Sequence, residues 1–529
     1  MFLLLSIFLF SAFALSFIIK KIKRQLCFWH VLLLVSLILA VIYRISCQLP
    51  QISNNPFSLS YSDGSWLYMA TIFRSQDFYG TFTGYPFVNF TRVLLQSIPF
   101  FFNSPPIWVH RAWDVFLMVS ITSLTSWLLT RRLHLPSRYW RWVLFLGVFL
   151  FIQQGPVYYF LQISVIIMLA WFDPKRYWRS AAVLAVATVW ASLSRVNWIP
   201  YPGMLAVALY VVETPYSSNW KLYFKKIPGW FLIAVGSAAI TLLIYNTLPG
   251  NDSLLYSSGT FTTPLAWYRM GPSPEYRIGM IPGITLLSLP ILELIFLNIY
   301  KGGIHKIRVA TVTFLLGILF VGCTVVSVKY GGGGNLHNYD TFYMLLLICG
   351  LYLLSGNLPF DKPVQPIKLW KPAFIAAFLV PIVFTFSTSL SLYSWDKQQA
   401  RDEIDTLNQL IQTANENGEM VLLSSQRQLL AFGLTVPEPF TTGYDHLILM
   451  EMSMAENQTY LQQFYERLED HTYAYIIIGK LYNEDQPPYI PFFLENNQWR
   501  DNIVIPILAN YQLQTFLPGC GLAIYVPRE

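Results

Sequence analysis

KYGGGGNLHNYD, residues Lys329 to Asp340, lies between two long apolar runs and places four consecutive glycines ahead of two amides, a histidine and an acid. Such a segment cannot sit in lipid, so it lines a wet, protein-enclosed cavity at a membrane face. Gly331, Gly332, Gly333 and Gly334 let backbone N–H groups approach a ligand closely, and successive N–H groups in a glycine-rich turn form a nest for an anion. Lys329 adds a full charge to that nest. Asn335, His337, Asn338 and Asp340 supply polar contacts for a substrate, although the same residues would also serve a flexible re-entrant turn.

The chain around this stretch is apolar. Its 529 residues are 54% hydrophobic, 17% aromatic and only 12% charged, with a mean hydropathy of +0.45. Soluble enzymes carry about twice that charge. Candidate spans lie near 2–19, 26–47, 107–130, 140–153, 156–172, 180–194, 198–213, 228–246, 278–299, 308–328, 339–356 and 372–394, which makes about twelve transmembrane helices. The expected fold is an α-helical polytopic membrane domain, residues 1–394, followed by a soluble domain, residues 395–529.

Alternate short loops are basic: Lys20, Lys21, Lys23 and Arg24; Arg131, Arg132, Arg138 and Arg141; Lys175, Arg176 and Arg179; Lys221, Lys225 and Lys226; Lys301, Lys306 and Arg308; Lys362, Lys368 and Lys371. The positive-inside rule places these in the cytoplasm and both termini outside. The formal charge of +7 is mostly theirs, so it reports membrane orientation and argues against a nucleic-acid partner. The first run lacks a preceding basic region and an A-x-A-like cleavage site, which predicts a retained helix. The five cysteines form no disulfide framework, and free thiols without a metal cluster are expected. Sequons stand at Asn89, Asn251 and Asn457, all external in this topology.

Two segments break the helical rhythm. In the first outer loop, residues 48–106, Trp66, Met69, Ala70 and Phe73 recur at helical spacing, as do Val93, Leu94, Ser97 and Ile98. Two amphipathic helices on the membrane surface are expected there. Asp63 precedes the first of them in SDG, where an acid ordinarily caps a helix. An outer-face carboxylate can also act as a general base when an acceptor hydroxyl lies within about 3 Å. Asp77, in QDFYG, is the second candidate base, in a context that also suits a turn.

The second segment is the tail. DKQQARDEIDTLNQLIQTANENG predicts a polar helix, EMVLLSSQRQLLAFG a buried strand and a short helix, MEMSMAENQTYLQQFYERLEDH one longer helix, and TYAYIIIGKLY a core strand. Together they predict a small extracytoplasmic α/β domain that covers the external cavity or binds an acceptor.

The cations left outside are Arg74, Arg92, Arg111, Arg195, Arg269, Arg277 and Lys329. Arginine suits bidentate phosphate recognition, so their convergence on the glycine-rich nest would build a phosphate or pyrophosphate site. Each could instead snorkel to lipid headgroups or pair with Asp114 or Glu275.

With its long first outer loop bearing surface helices and an early acid, its many spans with outer-face arginines, and its external C-terminal domain, the chain resembles GT-C fold glycosyltransferases. That class includes protein O-mannosyltransferases, lipid A aminoarabinose transferases and the catalytic subunit of oligosaccharyltransferase. SYSDGSWLYMATIFRSQDFYG, KYGGGGNLHNYD and EMSMAENQTYLQQF also look like stretches of uncharacterised bacterial membrane proteins placed in the class. The resemblance implies an integral protein of the plasma or inner membrane that moves a sugar from a polyprenyl-phosphate donor to an extracytoplasmic glycan, lipid or protein acceptor, with inversion. Asp63 would match the first-loop acid and act as base. Arg195, Arg269, Arg277, Lys329 and the four glycines would hold the donor phosphate, with Arg111, Asn335, His337, Asn338 and Asp340 on the substrate. The DxD or ExD pair common in relatives is missing, because Gly64 and Ser65 follow Asp63, so no cofactor is expected and a divalent metal is not favoured. A ligase or polymerase using a lipid-pyrophosphate donor is the nearest rival, then a lipid or polysaccharide transporter, then a non-catalytic membrane anchor for the soluble tail.

Overall fold

The structure is a computed structural model that describes residues 2–60, 62–86, 89–102, 105–135, 137–154, 157–216, 219–249, 263–300, 304–354, 372–386, 394–435 and 443–529. Lys301, Lys362, Lys368, Lys371, Asn251 and residues 355–356 and 387–393 of the last two expected spans lie outside the described residues.

An apolar run without a turn signal forms a helix because a helix pairs its own backbone groups where no water can. All the expected runs are helical: Phe2–Ile22, Phe28–Ser46, Ile107–Arg132, Arg138–Gln153, Tyr159–Trp171, Tyr177–Ser192, Tyr201–Glu213, Ile227–Asn246, Met280–Tyr300, Lys306–Val328, Asp340–Leu354 and Pro372–Thr385. Among the described residues, 6 helices are long and apolar enough to cross a membrane: Leu3–Ile22, Phe28–Gln51, Ile107–Arg132, Trp220–Asn246, Met280–Leu297 and Lys306–Val328. The others run 13 to 16 residues, short of the roughly 20 that a bilayer core asks of an upright helix. Small residues are fully buried among the helices, as at Ala187, Ala191, Ala206 and Ala208, which suits close packing of helix on helix.

The tail folds as a four-stranded sheet in the order β1-β2-β4-β3, flanked by helices. β1 (Met420–Leu423) is parallel to β2 (Tyr473–Gly479), and β4 (Leu522–Pro527) is antiparallel to both β2 and β3 (Tyr511–Leu517). The polar helix Lys397–Glu416 is capped by Asp396, whose carboxylate accepts the N–H groups of Gln398 and Gln399. One expected helix is in fact two, His446–Met454 and Gln458–Glu469. Glu456 takes a left-handed φ of 50° and Asn457 caps the second helix, which breaks the run. All five cysteines are unbridged.

The first long loop forms the helix Asp63–Met69, a short turn of helix at Ser75–Tyr79, and the helix Phe90–Ser97. The apolar residues of the first helix form no free face for a membrane surface, whereas Leu94, Ile98, Phe101 and Phe102, along the last helix and its continuation, stay exposed as a surface helix requires. Trp66, Tyr68, Met69 and Val93 share one buried cluster with Leu422, Tyr444, Leu447, Ile448 and Tyr460 of the tail. Phe57 joins the core around Leu407, Leu429 and Leu522, and Ala70 and Phe100 pack with Ala431. Loop and tail therefore form one packed body.

Candidate functional site

Asp63 is the first residue of its helix and caps nothing. Its Oδ2 instead accepts the Leu59 N–H at 3.1 Å and the Arg111 Nη2 at 3.2 Å. Both bonds fall on one oxygen, so Oδ1 has no hydrogen-bond partner among the described residues, and the side chain is 20% exposed. Arg111 is almost fully buried and also donates to the carbonyls of Ser53, Asn55 and Phe57, at 3.0, 2.7 and 2.9 Å. A guanidinium committed to three carbonyls and a carboxylate holds the loop in place and offers little to a substrate.

One turn along the same helix, Asp114 accepts the Gln96 amide at 3.0 Å on each oxygen and the Tyr159 hydroxyl at 3.2 Å. Arg92 interacts with Asp114 and Tyr159 and lies 4.0 Å from the centre of the Trp66 ring. The sequence signal for this group was weak, since Gln96 and Tyr159 belong to no motif. Asp77 stands apart, 58% exposed and paired with Arg74 at 2.8 Å.

Arg195 leaves the end of the Tyr177–Ser192 helix and donates to Asn338 Oδ1 at 2.6 Å, with Asp340 Oδ2 at 3.5 Å. Asp340 is fully buried and also accepts Asn197 Nδ2 at 3.1 Å and Trp198 Nε1 at 2.8 Å. Arg195 remains 25% exposed. His337 packs edge-on against Tyr158 and bonds Asn335, while burial and the Arg195 guanidinium push its pKa down to about 3, so it is neutral near pH 7. Thr91 and Ser194 share a 2.5 Å hydroxyl contact, which ties the Phe90–Ser97 helix to this cluster.

The glycine-rich loop shows why it needs glycines. Gly331, Gly333 and Gly334 have φ of 73°, 85° and 63°. A Cβ on Gly332 would lie 2.5 Å from the Val326 carbonyl oxygen, and one on Gly333 2.4 Å from His337 Cε1. The Gly331 N–H donates to Glu495 Oε1 at 3.2 Å. Glu495 belongs to the tail, and both its oxygens also take Arg269 Nη2. Arg269 is fully buried, with Glu275 at 3.6 Å. A carboxylate of the same chain thus meets the Gly331 N–H and pairs with Arg269. Burial alone would raise the Glu275 carboxyl, but the Tyr268 hydroxyl, Ser273 and the Phe492 N–H hold it below its ordinary value. Lys329 is half-buried and its ammonium has no partner among the described residues, while Arg277 is exposed.

Between the Met280–Tyr300 and Lys306–Val328 helices lies a cavity of about 400 Å³. Its walls are apolar, including Ile284, Leu292, Val312, Leu316 and Phe320, with Arg308 near one end. Arg308 is itself buried against the Val211 carbonyl at 2.9 Å. At the other end, the Phe320 ring is 5.8 Å from that of Tyr339, the neighbour of Asn338 and Asp340. Among the described residues, no three His, Cys, Asp or Glu side chains gather as a metal site. Compared with known proteins, the chain matches no family model, no curated protein and no solved structure.

Proposed function

We propose that this chain is a GT-C type membrane glycosyltransferase with about twelve spans, taking a sugar from a polyprenyl-phosphate donor at the extracytoplasmic face. The observation that carries the reading is the Asp63 carboxylate, oriented through Oδ2 by Arg111 and Leu59, with no partner for Oδ1 among the described residues and a side chain that is partly exposed. A general base needs an accessible oxygen within hydrogen-bond reach of the proton it takes, and an oriented carboxylate with one oxygen open supplies it. The acceptor hydroxyl attacks the anomeric carbon while Oδ1 takes its proton. The bond from that carbon to the phosphate oxygen breaks, and polyprenyl phosphate leaves with inversion. Arg195, still partly exposed, and Lys329 stabilise the charge that gathers on the leaving phosphate. The lipid chain lies along the apolar cavity, whose far end adjoins Tyr339.

The test is a transfer assay with purified protein in detergent and a panel of radiolabelled polyprenyl-phosphate sugars. Wild type releases label to an acceptor, and Asp63→Asn lowers turnover by about 100-fold or more with donor binding retained. Equal turnover in both proteins moves the base to Asp77. Turnover only with pyrophosphate-linked donors favours a ligase or polymerase, and the absence of both turnover and lipid-phosphate binding favours a transporter.

A further inference from the structure

We infer that the C-terminal domain positions the Asp63 loop through Gln426 and Gln428, so that the soluble domain is part of the reaction centre's framework and not a cover over it. The inference rests on the reading of Asp63 as the base.

Gln426 follows β1 at the edge of the sheet that faces the first long loop. It is held at φ 60°, a left-handed conformation that a residue with a Cβ keeps only when its surroundings over-determine it. Its amide explains what holds it. Oε1 accepts the Ser58 N–H at 2.8 Å, across 368 residues of chain, and Nε2 donates to the Cys520 carbonyl at 3.0 Å. The buried Gln428 adds a second link, donating to the Pro56 carbonyl at 3.0 Å and to Gln426 Oε1 at 2.5 Å. The segment that follows β1 thereby grips residues 56 and 58.

From Ser58 the linkage continues to the candidate base. Ser58 Oγ accepts the Gly64 N–H at 2.6 Å, and the Leu59 N–H reaches Asp63 Oδ2. Gly64 leaves room for both groups, since a Cβ would stand 2.2 Å from Gln428 Oε1 and 2.8 Å from Ser58 Oγ and would displace those side chains. Arg111 grips the same loop from the membrane side through the carbonyls of Ser53, Asn55 and Phe57. The carboxylate is therefore held between a membrane helix and the tail, and either hold can move it. A displacement of about 1 Å at a reacting group can cost on the order of 100-fold in rate.

The deciding variant is Gln426→Gly in the full chain. Glycine accepts the left-handed φ without strain, so the domain keeps its fold while the amide is lost. The expected result is a fall in kcat of about tenfold or more with the donor KM within about twofold of wild type. Hydrogen exchange, followed by mass spectrometry, is expected to accelerate at residues 56–64 and to stay unchanged at β2 and β4. Leu513→Val, a change on β3 at the far edge of the sheet, is the control and leaves kcat and loop exchange as in wild type. Unchanged kcat together with unchanged loop exchange in Gln426→Gly overturns the inference, as does an equal loss in the control. If wild type transfers no sugar, the glycosyltransferase reading fails, and the exchange data alone decide whether the tail positions the loop.

Discussion

Arg111 binds Asp63 at 3.2 Å across 48 residues of chain, and the same guanidinium gathers three backbone carbonyls of the segment that leads to it. From the sequence, Arg111 is expected to contact a substrate. Its geometry makes it the membrane-side anchor of the first long loop, with the Asp63 orientation as the outcome.

Arg111→Lys tests that role. Lysine cannot serve several acceptors with a planar fork, so buried carbonyls lose partners. We expect a loss of about 2–3 kcal/mol, read as a lower midpoint in thermal unfolding of the detergent-solubilised protein. A midpoint equal to wild type contradicts the anchoring role.

Arg269 and Glu495 test the contact between the tail and the glycine-rich loop. Removing one partner of a buried pair strands the other charge, so Arg269→Met or Glu495→Leu alone should cost about 3–5 kcal/mol. The double variant should cost clearly less than the sum. Additive losses in a double-mutant cycle would mean that the pair is not coupled.

Gly332 and Gly331 separate steric need from backbone need. A Cβ on Gly332 meets three carbonyl oxygens at 2.5 to 2.9 Å, whereas one on Gly331 has its nearest neighbour, Met454 Cγ, at 3.6 Å. Gly331→Ala then carries only the left-handed backbone penalty, about 1 kcal/mol. Gly332→Ala must displace backbone and should cost more, in the range of about 1–3 kcal/mol. Thermal midpoints of the two variants give the order directly.

Acid should weaken the folded protein in a defined window. Burial pushes His446 down to about 4, below its unfolded value of 6.5. As pH falls below 6.5 the unfolded chain takes up a proton that the folded chain refuses, so stability drops until the folded value near 4 is reached. His337 adds a loss of the same sign down to about 3. Glu275, held below its ordinary value, contributes stability that disappears as pH falls through its folded pKa. A thermal midpoint that declines from pH 6.5 downward, with a shallower slope in His446→Gln, is the expected outcome; parallel slopes remove His446 as the cause.

The helical runs were legible because each is apolar along its whole length, and length and hydropathy are local properties. The tail's first two strands were legible for the same reason. The break between Met454 and Gln458 was harder to see, because it depends on a left-handed Glu456 that no residue preference demands. The β3–β4 hairpin has its signal in the turn residues Pro518, Gly519 and Gly521. At the site, the acids and arginines could be found one by one, but not their partners. Arg269 and Glu495 are 226 residues apart, and only the folded chain brings a tail carboxylate to the glycine-rich loop.

The shared core of loop and tail also governs how the protein is made. Ser58 is synthesised 368 residues before Gln426, its partner. At about 5–20 residues per second, the interval is roughly 20 to 70 seconds. Through that time Trp66, Tyr68 and Met69 leave the ribosome without the tail residues that will bury them. A nascent chain in that condition needs a holding chaperone or a lipid surface, and premature termination before β1 would leave a sticky, protease-sensitive fragment rather than a smaller working protein.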